Sequence, residues 1–132
     1  MMKHDILNRN DIITLINNFY TKVKQDQSIG YFFTDVAAID WDHHLPQMYD
    51  FWESLLFSKS LFSGNPMKKH IELNNKSSLT EKHFAQWIKL FNLAVDSSFE
   101  GINSNRIKNY ALTIQENLIS RILKPNVIIN EV

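Results

Sequence analysis

The 132-residue sequence has no cysteine, only three glycines and three prolines, and fourteen basic side chains that balance fourteen acidic ones. Each shortage excludes something. Without cysteine there are no disulfides, no thiolate zinc sites and no cysteine nucleophile. Three isolated glycines cannot form a phosphate-cradling loop, no serine sits in a nucleophile-elbow pattern, and no pair of carboxylates stands out from the ordinary charged faces. Zero net charge, with histidine counted neutral, gives no electrostatic reason to expect nucleic acid or an anionic membrane as partner. The start, Met1-Met2-Lys3-His4-Asp5, is polar and no apolar run is long enough to span a bilayer, so a cytoplasmic chain is expected. Internal repeats are missing, and no useful stretch alternates with period two apart from an ambiguous tail after Pro125.

What the chain has in quantity is aromatic: nine Phe, four Tyr and three Trp, which with so few helix breakers describe an all-α body enclosing much flat apolar surface. Its length predicts one domain over residues 1–132. Asn10 or Asp11 is expected to cap a first helix, in which Ile12, Leu15, Ile16, Phe19, Tyr20 and Val23 follow the 3.6 period and which ends before Ser28. Gly30-Tyr31-Phe32-Phe33 then reads as a bulky turn of 3₁₀ character, and Thr34 to Asp42 as a polar connection. The next helix runs from about Asp42 to Phe57. Pro46, tolerable only near a first turn, places its start close to His43. Leu45, Met48, Trp52, Leu55 and Leu56 form its apolar stripe, with His44, Met48 and Trp52 at i, i+4 and i+8.

Ser58 to Asn65 reads as a loop, closed by Pro66-Met67-Lys68-Lys69-His70-Ile71-Glu72-Leu73. Here proline opens one or two helical turns whose shared face holds Met67, His70 and Ile71, while Lys68, Lys69 and Glu72 stay in water. A histidine in that setting offers one imidazole nitrogen to the interior, as a metal ligand or as an ordinary half-solvated residue. Asn74 to Ser78 is expected to be a polar linker. Thr80-Glu81-Lys82-His83 reads as the capped start of a helix to about Phe99, with Phe84, Trp87, Ile88, Phe91, Leu93, Ala94 and Val95 inward or half-inward and no Glu three residues after the cap to complete a strict capping box. Gly101 ends that helix, and Asn103 or Ser104 starts a last one that buries Ile107, Tyr110, Ala111, Ile114, Leu118, Ile119 and Ile122 before Pro125 stops it.

Five strings in this order resemble the truncated haemoglobins, specifically their third group. They are Phe19-Tyr20; His44; Phe51-Trp52, with Trp52 eight residues beyond that histidine; Pro66 to Leu73; and Trp87-Ile88-Lys89-Leu90-Phe91. The resemblance covers about residues 8–123 and leaves a tail over 124–132. It implies a two-over-two helical sandwich around haem b, with His70 as the proximal iron ligand. It implies Tyr20 and Trp87 as distal hydrogen-bond donors, His44 at the distal entrance, Met48 over the haem face and Phe33 packed on the ring. Trp52, Met67 and Lys69 join the cofactor-binding set, Lys69 as one of two lysines that could meet a propionate. The ligands implied are dioxygen, nitric oxide and carbon monoxide. Oxygen transport, dioxygenase- or peroxidase-like chemistry and an unidentified reductase partner all stay open, although two donors suit retention and redox chemistry better than bulk delivery. A flat porphyrin also accounts for the surplus of rings, so the haem-free chain is expected to be much less stable. The alternative is a cofactor-free helical interaction module. A zinc hydrolase built on Asp40, His43 and His44 is a distant third, because that spacing lacks the i, i+4 histidines of helical zinc sites.

Overall fold

The computed structural model describes residues 3–123; the expected stop at Pro125 and the tail beyond it lie outside them. Five α-helices form the body: α1 (Arg9–Gln25), α2 (Trp41–Phe57), α3 (Pro66–Lys76), α4 (Glu81–Ser98) and α5 (Ile102–Leu123). No strand occurs among the described residues. α1 packs on both α2 and α4, and α5 on both α2 and α4, so four helices close a two-over-two square. α3 stands to one side, against α5 and the segment that follows α1.

The square holds together because each helix turns one apolar stripe inward. All six residues expected on the inner face of α1 are buried, and Phe19 lies at the centre of the core. Its ring meets Phe91 at 5.3 Å and Trp87 at 5.7 Å, and Trp52 meets Phe91 at 4.7 Å. A smaller cluster of Phe32, Leu79, Phe84 and Leu118 joins the start of α4 to the far end of α5, with Met67 and Leu73 of α3 packed on it.

Several local expectations are corrected. Asn8, not Asn10 or Asp11, caps α1, its side chain accepting the Asp11 N–H. The bulky turn is a π-helical segment, Phe32–Val36, in which the Ala37 N–H reaches back five residues to the Phe32 carbonyl. α2 starts at Trp41, two residues ahead of the expected start, because the Asp40 carbonyl accepts both the His43 and His44 N–H groups. Pro46 therefore lies in the second turn, at an exposed position where its ring meets solvent. α3 continues to Lys76 through most of the expected linker, and Ile71 turns outward instead of sharing the inner face. Leu93 is also exposed.

The sequence pattern concealed two polar anchors. Glu53 is 4% exposed, yet accepts from Arg9 at 2.6 Å and Lys59 at 2.9 Å, tying α2 to α1 and to the loop before α3. The Lys59 bond is the largest cause holding its carboxyl below the usual range. α5 is capped by Asp5 from almost a hundred residues away: its carboxylate accepts from the backbone N–H groups of Asn103 and Ser104, both at 2.8 Å, and from the Ser104 hydroxyl at 2.7 Å. That approach explains Gly101, which does not end α4 as expected. Its φ is +139°, and a Cβ there would fall 2.6 Å from the Asp5 carboxyl carbon, so only glycine fits.

Candidate functional site

Between the two apolar clusters lies a cavity lined by Ile29, Phe32, Phe33, His70, Leu73, Leu79, His83, Phe84, Trp87 and Leu118. Seven of these carry no polar side-chain atom; His70, His83 and Trp87 are the exceptions. α3 supplies one wall, the π segment a second and the first two turns of α4 a third.

His70 owes its placement to the start of α3. Pro66 occupies the first turn, where its missing N–H costs nothing, and the Asn65 side chain caps the turn by accepting the Lys68 N–H at 3.0 Å. One turn on, His70 Nδ1 lies 2.7 Å from the Pro66 carbonyl. A carbonyl can only accept, so Nδ1 donates, and the lone pair is left on Nε2. Burial is the largest influence on this imidazole and pushes its pKa down; the Pro66 bond pushes the other way and is outweighed. The ring is therefore a neutral base with one oriented, uncommitted nitrogen on an apolar cavity.

A second group of rings stands over the core where α1 meets α2. Tyr20 is 6% exposed and its hydroxyl lies 3.2 Å from His44 Nε2, so His44 is turned inward. Burial raises the pKa of the Tyr20 hydroxyl far above its ordinary value, which keeps its proton in place. Burial lowers the pKa of His44, with further lowering from His43 and His70. Trp41, the first residue of α2, closes this group: its ring lies 5.3 Å from Tyr20, 5.7 Å from His44 and 6.2 Å from Phe33. Lys24 lies over its outer face at 4.2 Å. Phe33 bridges the two groups, lining the cavity while meeting Tyr20 edge-on at 5.9 Å.

The expected site residues thus sort by position. His70, Phe33 and Trp87 line the cavity; Tyr20 and His44 bond to one another beside Phe33. Met67 packs on the small cluster next to the cavity. Met48 and Trp52 pack into the main core, Met48 half-buried and Trp52 3% exposed. Lys68 and Lys69 are exposed on α3. Sequence reasoning passed over Trp41, placed in a connection, and His83, seen only as part of a cap. The available signal for His83 was its spacing four residues before Trp87, which sets both side chains on one helix face. Among the described residues no three His, Asp or Glu side chains gather into a metal-holding group, which leaves the Asp40–His43–His44 zinc site without geometry.

The donor set suits a haem. A porphyrin needs apolar and aromatic walls and one neutral imidazole with a free nitrogen, and the residues lining the cavity supply both. Comparison with known proteins points the same way. No family model matches the chain. It is 28% identical over 114 residues to the group 3 truncated hemoglobin of Campylobacter jejuni, spanning 84% of either chain. The crystal structure of group III truncated hemoglobin from Campylobacter jejuni superposes with a TM-score of 0.81 at 26% identity, covering 93% of this chain and 97% of that one.

Proposed function

From the premise that this chain is a homologue of the group III truncated haemoglobins with their fold, we propose that it binds haem b through His70 and holds diatomic ligands beneath Tyr20, His44 and Trp87. The observation that carries the reading is the oriented, neutral imidazole of His70, its Nε2 lone pair free, on a cavity of aromatic and aliphatic side chains. Bound there, the haem iron supplies a site for dioxygen, nitric oxide or carbon monoxide.

The protein's own residues set how such a ligand is treated. The Pro66 carbonyl fixes the His70 tautomer and ring orientation, and by accepting the Nδ1 proton it raises the basicity of Nε2. Phe33 is an apolar wall of the cavity with Met67 packed on the cluster beside it, and Met48 and Trp52 hold α2 against the core so that His44 stays in register with Tyr20. The Tyr20 hydroxyl and Trp87 indole N–H are the two donors available to a ligand that carries negative charge, and both stand among aromatic rings. His44, half-buried at the first turns of α2, acts as the gate: inward, it occupies the Tyr20 hydroxyl; outward, it opens the site. Lys69, exposed one residue before His70, is assigned to a propionate at the rim. Two donors on one ligand favour retention and redox chemistry, with electrons from an external reductase, over bulk delivery.

An absorption spectrum of the reduced protein, with and without carbon monoxide, tests the reading. A Soret band that shifts on adding the gas is expected. A purified protein that takes up no added haem would instead identify a cofactor-free helical module.

A further inference from the structure

His83 is the polar residue on the cavity to which the foregoing gives no task. It is the third helical residue after the Thr80 cap, a place where Glu or Gln would ordinarily complete a capping box. Here the imidazole does so: its Nδ1 lies 3.0 Å from the Thr80 backbone nitrogen, while the Thr80 hydroxyl lies 3.4 Å from the His83 N–H. A nitrogen that accepts a backbone N–H carries no proton, so the ring proton resides on Nε2. The ring is further fixed edge-on against Phe32, centroids 4.7 Å apart. A glutamate would have satisfied the cap equally well. What histidine adds is a second, donating nitrogen, held rigid on a ring that lines the cavity.

We infer that His83 binds the prosthetic group, donating its Nε2–H to a haem propionate carboxylate. The assignment rests on the haem reading above. It follows from elimination within the lining: His70 is committed through its free nitrogen to the iron, and the indole N–H of Trp87, a half-buried ring stacked on Phe91 at 5.6 Å, is assigned to the diatomic ligand. His83 is then the remaining donor, and a carboxylate entering an otherwise apolar slot requires one. In a pocket of this kind a few fixed polar groups set the orientation of the ligand. His83 would do so from α4, on a different element from the proximal histidine. The same imidazole thereby links the start of α4, the helix that bears Trp87, to the presence of the cofactor.

The test is the rate at which haem leaves the ferric holoprotein for an excess of apoglobin acceptor, measured for His83→Phe and His83→Glu. Phe keeps a ring against Phe32 but loses cap and donor; Glu keeps the cap and loses only the donor. Loss about ten-fold faster is expected in both, along with a shift of the propionate bending band in the resonance Raman spectrum. A wild-type rate in His83→Glu would reduce His83 to a helix cap, and a wild-type rate in His83→Phe would overturn the contact outright. If wild-type protein takes up no haem at all, the underlying functional reading has failed, an outcome distinct from either.

Discussion

Replacing Tyr20 by Phe removes one oxygen from the protein and little else. The ring is packed against Phe19 at 4.9 Å, Trp41 at 5.3 Å and Phe33 at 5.9 Å, so its position should survive the change. Among the described residues the hydroxyl has one partner, His44 Nε2, at 3.2 Å, the long end of the hydrogen-bond range. Losing that neutral bond should cost only about 0.5–1.5 kcal/mol of stability. A dioxygen ligand carrying partial negative charge makes a stronger, charge-assisted bond of roughly 1.5–3 kcal/mol. At about 1.4 kcal/mol per factor of ten, its dissociation should speed up some ten- to a hundred-fold. Carbon monoxide carries less charge and should respond weakly.

Flash photolysis and stopped-flow mixing of both gases read this directly. Because burial holds the Tyr20 proton far above its normal pKa, the dioxygen rate should also stay flat as pH approaches about 10, where an exposed tyrosine ionises. Tyr20→Phe and Trp87→Phe share one acceptor, so a double-mutant cycle should show their effects to be non-additive. An unchanged dioxygen rate in Tyr20→Phe, or equal acceleration of both gases, would make Tyr20 a packing residue and sink the polar-pocket mechanism.

His70→Gly should abolish stable haem binding, with recovery of the haem spectrum on adding imidazole; an unchanged spectrum without imidazole would place the ligand elsewhere. His44→Leu should speed ligand uptake, since it removes the gate, and slow dioxygen release, since the Tyr20 hydroxyl is no longer engaged by the imidazole; bis-histidine coordination in the ferric wild type would contradict the gate. Asp5→Ala leaves the first N–H groups of α5 without their acceptor and should cost about 1–2 kcal/mol, read from thermal or denaturant unfolding. Burial raises the Asp5 pKa, but the bonds from Asn103, Ser104 and Ile6 outweigh it and the net folded value is depressed. Its contribution is therefore full above about pH 4 and lost as pH falls through the folded value, so the gap between wild type and Asp5→Ala should close on acidification.

How much of this could be read in advance depends on the range over which each feature is determined. The inner face of α1 is written in a local period, and all six of its expected core residues are buried. Pro66 opening α3, and Thr80 capping α4, are equally local and stand where expected. Features set by distant partners were illegible. Asp5 gives no sign in sequence that it caps a helix beginning at residue 102, nor does Glu53 that two cations will bury it. His83 was hidden by a narrow expectation of what a capping box may contain. The site itself was legible through ordered strings of residues. The pairing of Tyr20 with His44, and the box that Trp41 closes over them, required the structure.

Departures from local rules also fall unevenly. α1, α4 and α5 are regular, with polar caps and apolar stripes that agree, and they make the frame. The irregularities gather around α2 and the cavity: a π-helical segment over Phe32–Val36, left-handed backbone at Ala38 and again at Ser58, and a proline in the second turn between them. A left-handed non-glycine residue costs roughly 1–2 kcal/mol, and two of them bracket α2. Cheaper sequences exist for a mere connecting helix. Strain of this sort persists where surrounding contacts over-determine it, and here Trp52 against Phe91 and Glu53 between Arg9 and Lys59 pin α2 in place. Its effect is positional. The π segment turns Phe32 and Phe33 into the cavity within a few residues of α1, and the early start of α2 sets Trp41 and His44 one turn apart over Tyr20. A regular connection would still have closed the four-helix square, but these side chains would have met different neighbours.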